Sequence, residues 1–179
     1  MKLGPFQVLV AGLVLTAAVA AFLYMPSSES PPAPPVPVVG KVEKSSDMSP
    51  IERERVTAAA LSIVRTVRRD GVESLAAFVD MTAWRSLLTE QAEAAKEDAL
   101  VRLLKDPVRA AEFGETLKIR TSGLFASMKE PVDVDDLSRT DDLYSITYKS
   151  EGRVFPQRVV LRKRDEGWKI VFVDFSPRG

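Results

Sequence analysis

Residues 143–174 read LYSITYKSEGRVFPQRVVLRKRDEGWKIVFVD, and this stretch decides the fold class. Apolar and polar residues alternate along three segments of it, with the period of two that is typical of half-buried β-strands. The segments are separated by turns at 150–153 and 165–167, in which Gly152 and Gly167 supply the positive φ of a hairpin. The sequence therefore predicts antiparallel strands, with Pro156 at a bulge or at the start of its pairing because proline donates no ladder hydrogen bond.

Helical patterning precedes these strands. Ser49 is placed to cap a helix that begins at Pro50, and Glu52 completes a capping box. Apolar residues then recur at helical spacing until Gly71 ends the helix; they are Val56, Ala60, Ile63 and Val67. Further helices are predicted at 72–79, 83–105 and 108–113, and a first strand at 117–120. Helices followed by strands within one unit predict an α+β domain, with helices packed on one face of a curved antiparallel sheet.

The N-terminal segment is predicted to be a transmembrane signal-anchor. Phe6–Met25 is a twenty-residue apolar run, which as a helix rises about 30 Å, the thickness of the hydrocarbon core of a bilayer. Lys2 precedes the run and Glu29 is the first charge after it, so the positive-inside bias places the N-terminus in the cytoplasm. A signal peptide cleaved after the small residues at 18–20 is the alternative. Both interpretations export the rest of the chain.

The predicted organisation is an anchor at 1–25, a linker at 26–48 and a folded domain at 49–179. Six of the chain's twelve prolines lie at positions 26–37. Such density favours polyproline II, which extends about 3.1 Å per residue and holds the domain away from the membrane. A proline-rich ligand for an aromatic groove on a partner is the alternative.

Composition excludes several chemistries. The 179 residues include 25 Lys plus Arg, 25 Asp plus Glu, no Cys and no His. Disulfides, thiol nucleophiles, imidazole bases and thiolate or imidazole metal sites are therefore excluded. The balanced charge argues against nucleic-acid binding, which normally shows a basic excess. No cofactor is predicted, and the expected partners are the membrane and a protein of the cell envelope.

Five aspartates crowd into residues 131–142: Asp133, Asp135, Asp136, Asp141 and Asp142. Calcium takes several carboxylate oxygens, so this segment is a candidate metal site. Its spacing does not match an EF-hand loop, because Leu137 occupies the third ligand position and no glycine follows it. We interpret the segment as a solvated acidic loop and predict no metal.

Three arginines fall on one face of a predicted strand. Arg158, Arg162 and Arg164 share that face with Val160, and together we call these three the arginine ribbon. It suits anionic lipid headgroups, an acidic partner or the domain's own aspartates. A charged, solvated sheet face is the alternative.

The candidate walls of an interior cavity are Trp84, Tyr144, Tyr148, Trp168 and Phe172, because a ligand pocket needs an apolar lining with a few polar groups. Plain core packing is the alternative. Asp80 and Asp174 are the carboxylates nearest to these positions in sequence, but an acid–base pair depends on geometry, and Asp80 equally suits a helix cap. We predict no catalytic residue and no enzyme activity.

The order of helices and hairpins, closing on the strand at 167–170 (GWKI), resembles the NTF2-like, cystatin-like cone superfamily. Residues 67–80, VRRDGVESLAAFVD, resemble the helix, turn and following step of many small exported bacterial members. The end of this stretch with WRSLL at 84–88 is also similar to a family of uncharacterised membrane-anchored bacterial proteins. The resemblance covers roughly residues 50–175.

The resemblance implies a sheet that wraps around the helices into a cone, whose mouth is a ligand pocket, a catalytic site or closed core. Enzymes of the superfamily commonly place an Asp–His, Asp–Tyr or Asp–Arg arrangement there, and this chain has no histidine. Membrane-anchored members also occur as structural subunits of secretion assemblies. Fold alone does not select among these roles.

Together these observations predict a single-pass protein of the inner membrane, with its N-terminus inside and an NTF2-like α+β domain in the periplasm or outside the cell. The expected function is a non-catalytic binding or assembly module of the cell envelope. The alternative is a small-molecule-binding domain, or a histidine-independent hydrolase or isomerase, that uses the interior of the cone.

Overall fold

After one short strand, helices occupy the first part of the folded chain and the remaining strands the second. The computed structural model describes residues 42–175. Its helices are α1 Pro50–Asp70, α2 Val72–Leu75, α3 Met81–Ala94, α4 Asp98–Lys105 and α5 Pro107–Ser127. Its strands are β1 Val42–Lys44, β2 Val132–Thr140, β3 Leu143–Ser150, β4 Arg153–Arg164 and β5 Gly167–Asp174. The predicted α+β class is confirmed.

The five strands form one antiparallel sheet in chain order, β1-β2-β3-β4-β5. Tight turns join β3 to β4 and β4 to β5, with φ at Gly152 of 77° and at Gly167 of 117°, as the hairpin prediction requires. Pro156 lies in β4 where the register with β3 shifts, which confirms its placement at a bulge. The sheet begins earlier than predicted, since Val42–Lys44 lies within the range assigned to the linker and pairs with Ser138–Thr140.

Helix α1 starts and packs as its sequence indicates. The Ser49 hydroxyl accepts a hydrogen bond from the Glu52 backbone amide at 3.2 Å. One side of the helix is buried in the core, namely Val56, Ala60, Ile63, Val64 and Val67. The second half of the predicted capping box does not form, because the Glu52 side chain turns towards the sheet instead.

The long helix predicted at 83–105 is wrong, because the chain breaks between α3 and α4. Lys96 lies in the break with a φ of 59°, a left-handed conformation that interrupts a helix. In α4, after the break, Leu104 is the buried residue.

The strand predicted at 117–120 is also wrong, and so is the helix end at Gly114. Helix α5 runs for 21 residues through both positions. Gly114 is buried there, and a Cβ on it would lie 2.5 Å from the terminal methyl of Met81. This glycine therefore lets α3 and α5 approach closely, and it does not end a helix.

The acidic loop predicted at 131–142 is a strand over most of its length. In β2 the apolar Val132 and Leu137 face the core, whereas Asp133 and Asp136 are exposed. A bulge at Asp135 keeps the apolar residues on one face. Pairing with β3 overrides the low strand propensity of aspartate.

A short backbone bridge joins the helical half to the free edge of β5. The Asp80 amide donates to the Ile170 carbonyl at 3.0 Å, and the Ile170 amide donates to the Phe78 carbonyl at 2.6 Å. Val79 thereby pairs with Ile170 in parallel orientation. Helix α3 begins immediately after this bridge, so its position relative to the sheet is fixed by backbone hydrogen bonds.

Within residues 42–175 no helix is both long and apolar enough to cross a bilayer. The predicted anchor Phe6–Met25 and the proline-rich part of the linker lie outside the described residues.

Gly123→Ala is expected to raise the free energy of unfolding by about 0.5–1 kcal/mol, because alanine loses less backbone entropy than glycine in a helix. An added Cβ at Gly123 meets nothing within 4 Å. The matched variant Gly114→Ala is expected to gain less, since its Cβ displaces the Met81 methyl. Urea denaturation followed by far-UV circular dichroism measures both. A loss of stability in Gly123→Ala would contradict the extension of α5 past Gly114.

Candidate functional site

The arginine ribbon lies on one face of β4, as predicted. Arg158, Arg162 and Arg164 alternate with Val159 and Leu161, which are fully buried. At one end of the ribbon Arg158 lies opposite Asp174 of β5 in the strand register. The other two arginines form ion pairs with aspartates of the same domain.

Arg164 is held by Asp80, the residue that caps α3. Its Nε and Nη2 atoms donate to Oδ2 of Asp80 at 3.1 and 2.9 Å. The other carboxylate oxygen, Oδ1, accepts from the Ala83 amide at 2.9 Å, which confirms Asp80 as a helix cap. The Ala83 hydrogen bond, with a smaller contribution from Arg164, lowers the pKa of Asp80 despite its partial burial. Asp80 therefore remains ionised and keeps Arg164 in place.

Arg162 makes a looser pair. Its Nε lies 2.9 Å from Oδ2 of Asp142 without hydrogen-bond geometry, and its Nη2 donates to Oδ1 at 3.3 Å. The Asp142 side chain is 66% exposed and that of Arg162 only 22%. Exposed ion pairs contribute about 0–1 kcal/mol, so a competing carboxylate can replace Asp142 at little energetic cost.

These two arginines border an open groove of about 440 Å³ beside the first half of α3, which we call the α3 groove. The helix contributes two hydroxyls and a carboxylate together with a short apolar floor. The lining residues are Asp80, Thr82, Ala83, Ser86, Leu87, Glu90, Arg162 and Arg164. The groove thus combines two arginines, two carboxylates, hydroxyl donors and a little apolar surface. Asp80 already neutralises Arg164, so the less tightly held Arg162 is the cation that an extended polypeptide segment carrying a carboxylate would contact.

Three of the five candidate wall residues lie in the packed core, whereas Tyr144 and Trp168 are partly exposed. Trp84 and Tyr148 are 0% and 1% exposed, and Phe172 is 7% exposed. Tyr148 packs edge-on against Phe125, with ring centroids 6.0 Å apart, and complete burial raises the pKa of its hydroxyl. Neither the α3 groove nor a second groove, along α1, is lined by any of the three.

Two polar atoms remain unsatisfied inside this core. The Nε1 atom of Trp84 and the hydroxyl of Tyr148 are buried without a hydrogen-bond partner. A buried polar group without a partner destabilises a fold by about 1–3 kcal/mol, so these atoms are the chemically unusual feature of the interior.

Asp80 and Asp174 do not form an acid–base pair. They lie beside opposite ends of the arginine ribbon, since Asp80 contacts Arg164 and Asp174 is registered with Arg158. Arg158 and Arg164 are six positions apart in β4, which corresponds to about 20 Å along the strand, far beyond the reach of a shared proton. Within residues 42–175 there is also no group of three carboxylates placed to hold a metal ion, so the aspartates of β2 do not form one.

A second polar cluster was not expected from the sequence. Oε1 of Glu52 accepts hydrogen bonds from Tyr144 Oη and Arg139 Nη1, both at 2.6 Å. The other terminal nitrogen of Arg139, Nη2, lies 2.6 Å from Oε2 of Glu43 in β1. Tyr144 packs edge-on against Trp168 at 5.2 Å. We call Glu43, Glu52, Arg139 and Tyr144 the Arg139 cluster.

The hydrogen bonds of the Arg139 cluster shift the pKa values of Glu52 and Tyr144 in opposite directions. The Tyr144 hydroxyl, followed by Arg139, lowers the pKa of Glu52. Burial and the hydrogen bond to Glu52 raise the pKa of Tyr144. The only sequence signal for this cluster was Arg139 itself, the single cation among five aspartates, and its partners lie 87 and 96 residues away.

Comparison with protein-family models, with curated proteins and with solved structures gives no match for this chain.

Glu52→Gln is expected to lower the free energy of unfolding at pH 7 by about 1 kcal/mol, a value reduced for partial exposure. Because the pKa of Glu52 is lowered on folding, its stabilisation is present above the ordinary value of 4.5 and is lost as the pH falls through the folded value. The difference in free energy of unfolding between wild type and variant should therefore shrink as the pH falls below 4.5.

Urea denaturation at several pH values measures this gap. Glu54→Gln, an exposed change on the same helix, is the matched control and is expected to stay within about 0.5 kcal/mol of wild type. A gap for Glu52→Gln that persists undiminished at pH 3 would show that the lost carboxylate charge is not its cause.

Proposed function

We propose that this chain is a membrane-tethered binding or assembly module of the cell envelope without catalytic activity. The apolar run Phe6–Met25 supports the tether, and the charge bias around it supports an N-terminus inside and a domain in the periplasm or outside the cell. The proposed partner is a protein of the cell envelope, and the proposed location of this chain is the inner membrane.

We further propose that the domain belongs to the NTF2-like superfamily. An antiparallel meander that follows its helices, with the core on the helical side of the sheet, supports this assignment. The cone implied by the superfamily would here be filled, because Trp84, Tyr148 and Phe172 belong to one apolar core cluster.

The observation that carries the proposal is the contrast between this filled interior and the α3 groove. The aromatic residues suited to a ligand pocket are buried, whereas Arg162 and Arg164 line a groove at the surface. A carboxylate on a docking segment can replace Asp142 as the partner of Arg162. Of the two aspartates that pair with these arginines, Asp142 is the more exposed. Arg164 is fixed by the cap of α3 and orients the segment.

The alternative function is small-molecule binding, or less directly a histidine-independent hydrolase or isomerase, within the cone. One observation favours it, namely the unpartnered Trp84 Nε1 and Tyr148 hydroxyl in the core. These are two polar groups among aromatic rings, as an interior ligand would require. An opening of the core would be needed to admit that ligand.

A photo-crosslinking amino acid at Ser86 of the full-length protein, expressed in its own cells, tests the binding proposal. Ser86 lines the α3 groove, and Ala126, exposed on α5, is the control position. We expect a membrane-protein adduct from Ser86 and none from Ala126. Identical adducts from both positions would remove the groove as the docking surface, and their absence would favour the cone interior.

Arg162→Glu is expected to reduce the yield of the Ser86 adduct at least about tenfold, because it places like charges against the proposed partner. The matched control is Arg153→Glu at the opposite end of β4, which should leave the adduct unchanged. Thermal melts of both variants confirm equal folding. An adduct that survives Arg162→Glu in a folded protein would exclude the arginine ribbon as the contact.

A further inference from the structure

Residues 42–47 are attached to the domain more weakly than the elements that follow them. Strand β1 has three residues and pairs with β2 over three positions only. Val42 is 52% exposed, the 3-10 turn Ser45–Asp47 buries no residue, and no side chain caps that turn. Local openings occur where buried apolar contacts are few, so this segment has the features of a low-stability unit.

One ion pair supplies the specific side-chain attachment of the segment. Glu43 of β1 lies 2.6 Å from Arg139, and both side chains are about 30% exposed. Arg139 also binds Glu52, which in turn holds Tyr144. Loss of Glu43 therefore leaves Arg139 with a carboxylate partner, and the rest of the Arg139 cluster does not depend on the segment.

The next residues along the chain are anchored firmly. Met48 is 6% exposed within the hydrophobic core, and Ser49 caps α1. Any peeling of the segment from the sheet therefore stops at Met48. The structure thus places a weakly held element directly before a strongly held one, at the point where the chain enters the domain.

We propose that Val42–Asp47 is a releasable strap, which alternates between pairing with β2 and a detached state in which Met48 remains docked. Detachment frees six residues, which span about 20 Å when extended. On the proposed membrane tether this would increase the reach of the domain by up to that length; this consequence rests on the proposed function, whereas release of the strap does not.

Release also changes the surface of the domain. Detachment uncovers the backbone edge of Ser138–Thr140, so that β2 becomes the outer strand of the sheet. Pulling on the preceding chain and binding at this edge would favour the same detached state, which couples tether length to the accessibility of the sheet edge.

Hydrogen exchange of the full-length protein in detergent tests the strap, read by mass spectrometry on peptides from residues 42–48 and from β3. We expect the strap peptide to exchange at least about tenfold faster than β3, by local opening. Glu43→Gln should speed its exchange a further two- to fivefold, roughly the contribution of an exposed ion pair, with β3 unchanged. Strap exchange as slow as that of β3, or insensitive to Glu43→Gln, would overturn the proposal.

The matched control is Glu93→Gln, which removes a comparable ion pair with Lys105 on the helical side and should leave the strap peptide unchanged. A spin-label pair at Lys44→Cys and Asp165→Cys provides a second measurement, since the chain has no native cysteine. We expect a minor population at longer distance that grows in Glu43→Gln. A single distance in both proteins would also overturn the strap, and neither result depends on the function of the groove.

Discussion

The backbone bridge between Phe78–Asp80 and Ile170 is the constraint on which the rest of the domain depends. It attaches the helical half to the free edge of β5 and sets the start of α3. Asp80 then combines three contacts, because its amide joins the bridge, one carboxylate oxygen caps α3 and the other binds Arg164. The same residue that fixes the two halves together therefore also fixes the cationic wall of the α3 groove.

This backbone bridge explains why apolar side chains fill the interior and why the charged side chains lie outside it. With α3 held against the edge of the sheet, Trp84 enters the core beside Tyr148 and Phe125, and the apolar side of α1 completes it. Charged side chains are excluded from that volume because an unpaired buried charge is strongly unfavourable. They collect in the α3 groove, where Asp80 binds Arg164, and in the Arg139 cluster, where Glu43 and Glu52 bind Arg139.

The sequence predicted those features that depend only on neighbouring residues. The caps at Ser49 and Asp80 and the turns at Gly152 and Gly167 depend on residues at most three apart, and each was predicted from those residues. The extension of α5 past Gly114 could not be predicted, because that glycine is explained only by the neighbouring Met81 on another helix. Strand β2 was obscured by its aspartates, since its pairing with β3 decides its conformation.

The candidate site also combines features that local sequence predicts with features that depend on distant residues. Periodicity in β4 predicted the common face of the arginine ribbon, but the partners Asp80 and Asp142 come from distant turns and caps. Trp84 and Tyr148 were open to interpretation as cavity walls or core, and burial supports core packing. The Arg139 cluster joins residues separated by 87 or more positions, and no spacing in the sequence relates them.

A closed interior distinguishes a surface binding module from a ligand-binding cone. Exchange of the two tryptophan indole N–H protons, followed by NMR in deuterated buffer, measures whether the interior is closed. The Trp84 proton is expected to exchange only with global unfolding, while that of the partly exposed Trp168 exchanges faster. Equally fast exchange at both positions would mean that water reaches the core and would favour a ligand-binding cone.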